Sequence, residues 1–428
     1  MAETTMDAAG AGEPSLPARH VAAVAVGNAL QFYDFLTYAF FAAQIGRAFF
    51  PSHNPASSLL ASLATFGAGF LTRPVGGVVI GMMGDRLGRK PAMLLSFTLM
   101  GASILGLALT PSYAAIGVAA PILVIGFRLV QGFALGGEVG PSTAFLIEAA
   151  PPLKRGLYVS FQYMTQDAAI LCAGLVGVAL ANLLSPAQVD AWGWRLAFLI
   201  GAIIVPFGLM LRRGLPETLE AAGQAKGPPI ALRPYLRVAA LGLLVFASAM
   251  VANYVMAYMT TFAGATLHMP ANLAFGATVV LGACGVLFDP VGGWLSDRFG
   301  RKRVMLWPWM FLLAAAVPAF WVLVHFRSAA SLFGAVAILE IPLCISASSV
   351  LIAITESLPA QIRSGAVATL YALAVAVFGG TTQFAVAALT AATGNLLAPA
   401  WYLAAAVAVG LIAMLMLAET APAHRRRA

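Results

Sequence analysis

The sequence predicts an all-α membrane protein whose twelve spanning helices divide into two pseudo-symmetric halves of six. Three observations carry that expectation: an apolar composition, a basic loop used twice, and a one-sided placement of charge. Hydrophobic residues make up 61% of the 428 and charged residues only 9%, against about 25% charged in a soluble chain. Mean hydropathy is +0.90, which calls for lipid around the molecule.

A span takes about 20 mostly apolar residues, and such runs follow one another between charged or Pro/Gly-marked loops. The first, 21–45, stops before Arg47, and the second, 59–83, before Arg86, Arg89 and Lys90. Spans 91–110 and 119–147 are followed by Lys154 and Arg155, and spans 157–183 and 195–211 by Arg212 and Arg213. The remaining spans are 238–265, 272–294, 304–324, 331–355, 365–391 and 398–417. The expected layout is a cytoplasmic tail (1–20), a first half (21–213), a central cytoplasmic linker (214–236), a second half (237–417) and a basic tail (418–428).

With the N-terminus in the cytoplasm, 19 of the 24 Lys and Arg lie in cytoplasmic loops and tails, while Arg47, Arg195 and Arg327 fall on the other side. That is the positive-inside bias. The net charge of +8 therefore records topology and not nucleic-acid binding. The expected location is a bacterial-type inner membrane with both termini inside. Glu3, Asp7 and Glu13 in the tail, with no basic n-region, do not read as a signal peptide. Cys172, Cys284 and Cys344 each fall within a span, without disulfide or metal-ligand spacing.

The repeat is internal and specific. Gly81-Met82-Met83-Gly84-Asp85-Arg86-Leu87-Gly88-Arg89-Lys90 recurs as Gly293-Trp294-Leu295-Ser296-Asp297-Arg298-Phe299-Gly300-Arg301-Lys302. Glu148 with Arg155 is matched by Glu356 with Arg363, and Pro216-Glu217-Thr218 by Ala418-Glu419-Thr420. On these residues the chain resembles the major facilitator superfamily. Within it, the first half is similar to the metabolite:proton symporters, the group of citrate, α-ketoglutarate, shikimate and proline/betaine carriers. The residues are Gly27-Asn28 through Asp34-Phe35, Arg73-Pro74-Val75-Gly76-Gly77, Arg128-Leu129-Val130-Gln131-Gly132, Gly136-Gly137-Glu138, Trp192-Gly193-Trp194-Arg195 and Glu217-Thr218. Their order and wording resemble the citrate-type carriers most. The resemblance implies the major facilitator fold and alternating access.

Ionisable residues inside a bilayer are costly and mark pathways. Asp34, Arg73, Arg128, Glu138, Asp167, Asp289 and Glu340 fall on spans 1, 2, 4, 5, 8 and 10, which line the cavity in the resembling fold. Asp34 and Arg128 are the expected coupling pair, with Glu138 as a third candidate. Protonating Asp34 would free Arg128 for an anionic substrate. Arg73 stands twelve residues before Asp85, about 18 Å along a helix, where it could also meet a carboxylate. Gln162, Gln166 and Asp167 on span 5, Asn253, Tyr254 and Tyr258 on span 7, and Asp289 on span 8 complete the candidate substrate surface. Compared with citrate-type carriers, Gln31 stands where Glu is usual, Asp167 where an amide is, and Asp289 where an apolar residue is.

The twice-used loop reads as a pair of gating latches. Gly81 and Gly88 allow close packing, Asp85 faces the start of span 11 near Ser364-Gly365, and Arg86 or Arg89 pairs with Glu148. By symmetry Asp297 meets the start of span 5 near Gly156, with Arg298 or Arg301 near Glu356.

The expected function is proton-coupled import of a small organic acid, a tri- or dicarboxylate such as citrate. A zwitterion, a less charged acid or a metal–citrate complex stands as the alternative. A drug antiporter is disfavoured because Ala173-Gly174-Leu175-Val176-Gly177 lacks the exporters' G-x-x-x-G-P-x-x-G-G run. No phosphate loop, metal cluster or nucleophile constellation suggests an enzyme. The partners expected are a small acid, protons and lipid, with the proton gradient in place of any cofactor and a monomer as the working unit.

Overall fold

In the computed structural model the described residues are 29, 32–33, 36–87, 89–136, 150–213 and 233–421. They are helical, and twelve helices emerge in chain order. In the first half these are α1 (residues 36–49), α2 (55–87), α3 (Arg89–Leu109), α4 (Ala119–Gly136), α5 (Arg155–Leu183) and α6 (Trp194–Arg213). In the second they are α7 (236–266), α8 (Ala271–Phe299), α9 (Arg301–Phe326), α10 (Ala329–Glu356), α11 (360–393) and α12 (Ala398–Met416). Nine of the described helical stretches are long and apolar enough to cross a membrane.

Local chemistry sets the ends. The Asn54 side chain accepts from the Ala56 N–H at the start of α2, and Ser328 with Ser331 forms a reciprocal cap on α10. Inside α2 the helix is interrupted at Thr72, two residues before Pro74, which has no N–H to give to the Phe70 carbonyl one turn back. The Thr72 hydroxyl is bound instead to the Leu129 carbonyl on α4 at 2.6 Å.

The halves meet along two seams, α5 against α8 and α2 against α11. In lipid, helices associate through close backbone approach more than through apolar burial. Glycines at these seams serve that approach. A Cβ on Gly293 would stand 2.5 Å from the Gly156 carbonyl oxygen, and one on Gly67 would stand 2.3 Å from that of Gly380. On the side of the α1–α2 turn, the Thr261 hydroxyl of α7 donates to the Ala39 carbonyl of α1, and Phe41 packs on Phe275 of α8 at 4.8 Å.

The short segment after α12 ties back to the second signature loop. Glu419 Oε1 accepts from the N–H groups of Arg301, Thr420 and Ala421, and Oε2 from that of Lys302, at 2.9–3.0 Å. Lys302 Nζ donates to the Leu415 and Leu417 carbonyls. The carboxylate thus caps the positive end of α9. Partial burial pushes its pKa up, but the four N–H donors outweigh burial and hold it below the ordinary glutamate range. A lowered folded-state pKa gives stability that is present above the unfolded value, about 4.3, and lost as pH falls through the folded value. Glu419→Gln is therefore expected to melt lower than wild type at neutral pH, with the two curves converging in acid. A gap that persists in acid would mean that the carboxylate charge is not what stabilises this end.

Candidate functional site

Two clusters of buried charge face the middle of the helical bundle. The cationic one belongs to the first half. Arg128 on α4 is fully buried. Its guanidinium donates to Gln131 Oε1 at 2.7 Å and to the Phe66 carbonyl at 3.5 Å, and lies over the rings of Tyr38 (4.6 Å) and Phe66 (5.0 Å). Arg73 on α2 is also buried, 4.4 Å from the Phe70 ring centre. It stands within electrostatic reach of Tyr254 on α7 and Tyr371 on α11. Tyr254 closes the wall edge-on to Phe70 at 5.3 Å. Aromatic rings thus lie against both guanidinium groups, and a guanidinium is the side chain whose planar donors match a carboxylate.

The anionic cluster spans the seam. Asp167 on α5, Asp289 on α8 and Glu340 on α10 line a cavity of about 70 Å³ with Tyr163, Asn253 and Tyr371. Carboxylate oxygens of Asp167 and Asp289 and the Cys344 Sγ all lie within 4.8 Å of one another. Cys344 donates to Glu340 Oε1 at 3.6 Å. Pro290 and Pro342 follow the acids by one and two residues inside their helices, and each removes an N–H from the ladder there.

The structure separates the residues singled out from the sequence. Arg73, Arg128 and Tyr254 come together, as do Asp167, Asn253 and Asp289. Gln162 is buried on α5, one turn from the half-buried Gln166. Tyr258 packs instead on Phe262 at 6.2 Å, in the last turns of α7, and is not among the residues lining the acidic cavity. Asp34, Gly88, Glu138 and Glu148 lie outside the described residues, as do the side chains of Asp85, Arg86 and Arg89 and the environment of Gly81. Two members of the acidic cavity went unassigned in the sequence, Cys344 and Tyr371. Glu340 appeared there as an intramembrane charge without a role. Its i, i+4 spacing to Cys344 places both on one face of α10, a signal that was available.

At the second signature loop, Asp297 Oδ1 accepts from the Gly156 N–H at 2.9 Å and Oδ2 from the Leu157 N–H at 3.0 Å, at the start of α5. Arg301 donates to Asp297 Oδ1 at 2.7 Å and to Ser296 Oγ at 3.0 Å, and its Nε lies 3.5 Å from Glu356 Oε2. Arg298 stacks on Trp294 and Phe299. Between the two basic candidates, Arg301 is the one beside Glu356. A charge-assisted hydrogen bond is worth about 1.5–3 kcal/mol, so Asp297→Asn is expected to loosen this end of the α5–α8 seam. The readout is thiol labelling of a cysteine placed at the buried Ser160, which should rise clearly in the variant. Unchanged labelling would show that Asp297 does not hold the seam.

A family model described as Major Facilitator Superfamily matches residues 24–380. The citrate-proton symporter of Klebsiella pneumoniae is 35% identical over 398 residues, covering 91% of this chain and 89% of the relative. The α-ketoglutarate permease of Escherichia coli is 35% identical over 432 residues, covering 97% and 98%. The proline/betaine transporter of Escherichia coli is 32% identical over 421 residues, covering 94% and 83%. Among solved structures, the D-xylose-proton symporter superposes with a TM-score of 0.76 at 18% identity, covering 94% of this chain and 98% of that one. The inward-open xylose transporter of E. coli gives 0.77 at 17% identity, covering 94% and 97%. Two six-helix halves meeting at α2–α11 and α5–α8, with the charge gathered between them, thus match a known architecture from end to end. The chain belongs to the Major Facilitator Superfamily, in the branch that holds the citrate-proton symporters together with the α-ketoglutarate, proline/betaine and shikimate carriers.

Proposed function

We propose that the protein is a proton-coupled symporter that imports a small organic acid, a di- or tricarboxylate such as citrate, by alternating access across a bacterial cell membrane. One observation carries the substrate class: two buried arginines, Arg73 and Arg128, each set against aromatic rings and within electrostatic reach of one another. Two guanidiniums brought out of water at mid-span have high affinity for carboxylates, which they bind through forked hydrogen bonds. Each net charge carried across the membrane is worth about 2.3 kcal/mol per 100 mV, so a polyanion entering a negative cell needs protons to match its charge. Named relatives that move citrate with protons, and others that move α-ketoglutarate, support the reading.

In the coupling cycle proposed, Asp34 holds Arg128 when ionised. Its protonation releases the guanidinium to an incoming carboxylate, so proton and substrate load together. The signature loops close the cytoplasmic side, Asp297 through its contacts at the start of α5, and Asp85 in the part the repeat assigns to it. Asp34→Asn should bind and exchange substrate while losing accumulation driven by a pH gradient. Accumulation at the wild-type level in that variant would remove Asp34 from the coupling.

The acidic cluster favours a second reading, a zwitterionic substrate. Its carboxylate would meet Arg73 and Arg128, and its cationic end would meet Tyr163, Tyr371 and the acids of the cavity they line. A competition experiment separates the two: betaine displacing bound substrate where citrate and α-ketoglutarate do not would favour the zwitterion.

A further inference from the structure

Three carboxylates stand together at mid-membrane, and they do not belong to one half. Asp167 projects from α5, whereas Asp289 and Glu340 project from α8 and α10. The approach depends on Gly285, since a Cβ there would lie 2.0 Å from Asp167 Oδ2 and 2.3 Å from its Cβ. Asp167 therefore sits in a notch of the opposing helix, and its surroundings exist only while α5 and α8 are packed.

Both second-half acids are almost fully buried, Asp289 at 2% and Glu340 at 3% exposure. Asp289 Oδ2 and Glu340 Oε2 have no hydrogen-bond partner, and both residues line the cavity. The other groups facing the cluster are Tyr163 on α5, Asn253 on α7, Trp309 on α9, Cys344 on α10 and Tyr371 on α11. Cys284 on α8 lies within electrostatic reach of Glu340 and Asp167. Among the described residues lining the cavity there is no Lys, Arg or His, and the indole N–H of Trp309 is already given to Ser346 at 2.8 Å. Three neighbouring anions in a buried cluster, with no basic residue among the described residues lining it, do not all persist, because like charges at this range and the loss of bulk hydration both oppose ionisation. Each proton taken up removes one negative charge and turns a carboxylate into a hydrogen-bond donor for a neighbouring acceptor.

We propose that Asp167, Asp289 and Glu340 form a second proton-binding site, built across the seam between the halves and additional to the one proposed at Asp34, which must be loaded for α5 and α8 to close. Protons enter as hydronium from water on the open side. They leave to water when the seam parts and Asp167 is drawn out of the Gly285 notch. Net charge on the cluster then opposes closure of an unloaded carrier. This rests on the proton-symport reading and deepens it: protons additional to the one at Asp34 would offset the further negative charges of a polycarboxylate.

The test is infrared spectroscopy of the purified full-length protein in lipid. At neutral pH wild type should show a protonated-carboxyl C=O band that Asp289→Asn and Glu340→Gln each diminish. The band should be indifferent to chelator and to added Na⁺, Mg²⁺, Mn²⁺ or Zn²⁺. No such band, or one that appears on chelation and vanishes with one of these ions, would overturn the proposal, the second result by making the cluster a metal site. In proteoliposomes Asp289→Asn should lower proton-driven accumulation about tenfold more than it lowers counterflow, a shift of about 1.4 kcal/mol in the coupling. Equal losses in both would contradict a proton role. If wild type moves no organic acid at all, the substrate reading fails while the infrared result still decides the site.

Discussion

Arg128→Lys is expected to reduce carboxylate uptake about 100-fold, the equivalent of roughly 2.8 kcal/mol, with the protein still folded and in the membrane. The guanidinium is fully buried, bound to Gln131 at 2.7 Å and set against the rings of Tyr38 and Phe66. Lysine keeps the positive charge but has neither the flat face that stacks on the rings nor the fork that receives a carboxylate. One lost charge-assisted hydrogen bond accounts for about 1.5–3 kcal/mol, which is the size of the predicted loss. The loss should appear in binding as well as in turnover, and Arg73→Lys should act in the same direction. Uptake within a fewfold of wild type, in protein whose size-exclusion profile is unchanged, would place Arg128 outside the substrate path.

Gly293→Val is the second large effect, and it should separate binding from movement. Any Cβ at this position meets the Gly156 carbonyl oxygen at 2.5 Å and the Ser160 side chain at 2.7–2.8 Å. Backbone cannot rotate away as a side chain can, so α5 and α8 must part at this end, carrying Asp297 off the Gly156 and Leu157 N–H groups. Overpacking of this kind costs about 1–3 kcal/mol, enough to shift a two-state equilibrium about 5- to 150-fold. The variant should bind substrate near normally yet transport it at least about tenfold more slowly, stalled with the Asp297 end of the seam unable to close. Normal transport rates would mean that the α5–α8 contact is not remade in each cycle.

The fold was legible because lipid enforces simple rules. Apolar run length set the helices and the repeated loop divided the halves, so the described helix ends fall within a few residues of those expected for most spans. The seam contacts around Asp297 were foreseeable for the same reason. A carboxylate followed by Arg and Gly, in duplicate, calls for a helix N-terminus in the other half, and Gly156 provides it. The depth and facing of individual side chains were less accessible. Tyr254 and Tyr258 share a helical face by spacing, yet α7 reaches its final turns between them, so one packs by the arginines and the other on Phe262. Periodicity gives the face of a helix and says little about what stands opposite each turn. The pairing of Asp167 with Asp289 needed Gly285, a residue that carries no chemistry and matters only through the space it leaves. Glu419 was visible only as a faint echo of Glu217, and its role as a cap on α9 follows from the position of the α12 end, which no local pattern encodes.

Binding of a carboxylate by the two buried arginines, with entry driven by protons, has a direct consequence in vitro. The most direct measurement is uptake into proteoliposomes of the purified protein under an imposed inward proton gradient, with citrate, tricarballylate, α-ketoglutarate, shikimate and betaine tested side by side. At least one carboxylate should accumulate above its external concentration, with the accumulation abolished by a protonophore and by Arg128→Lys. Accumulation of betaine alone, or carboxylate uptake unaffected by collapsing the gradient, would contradict it.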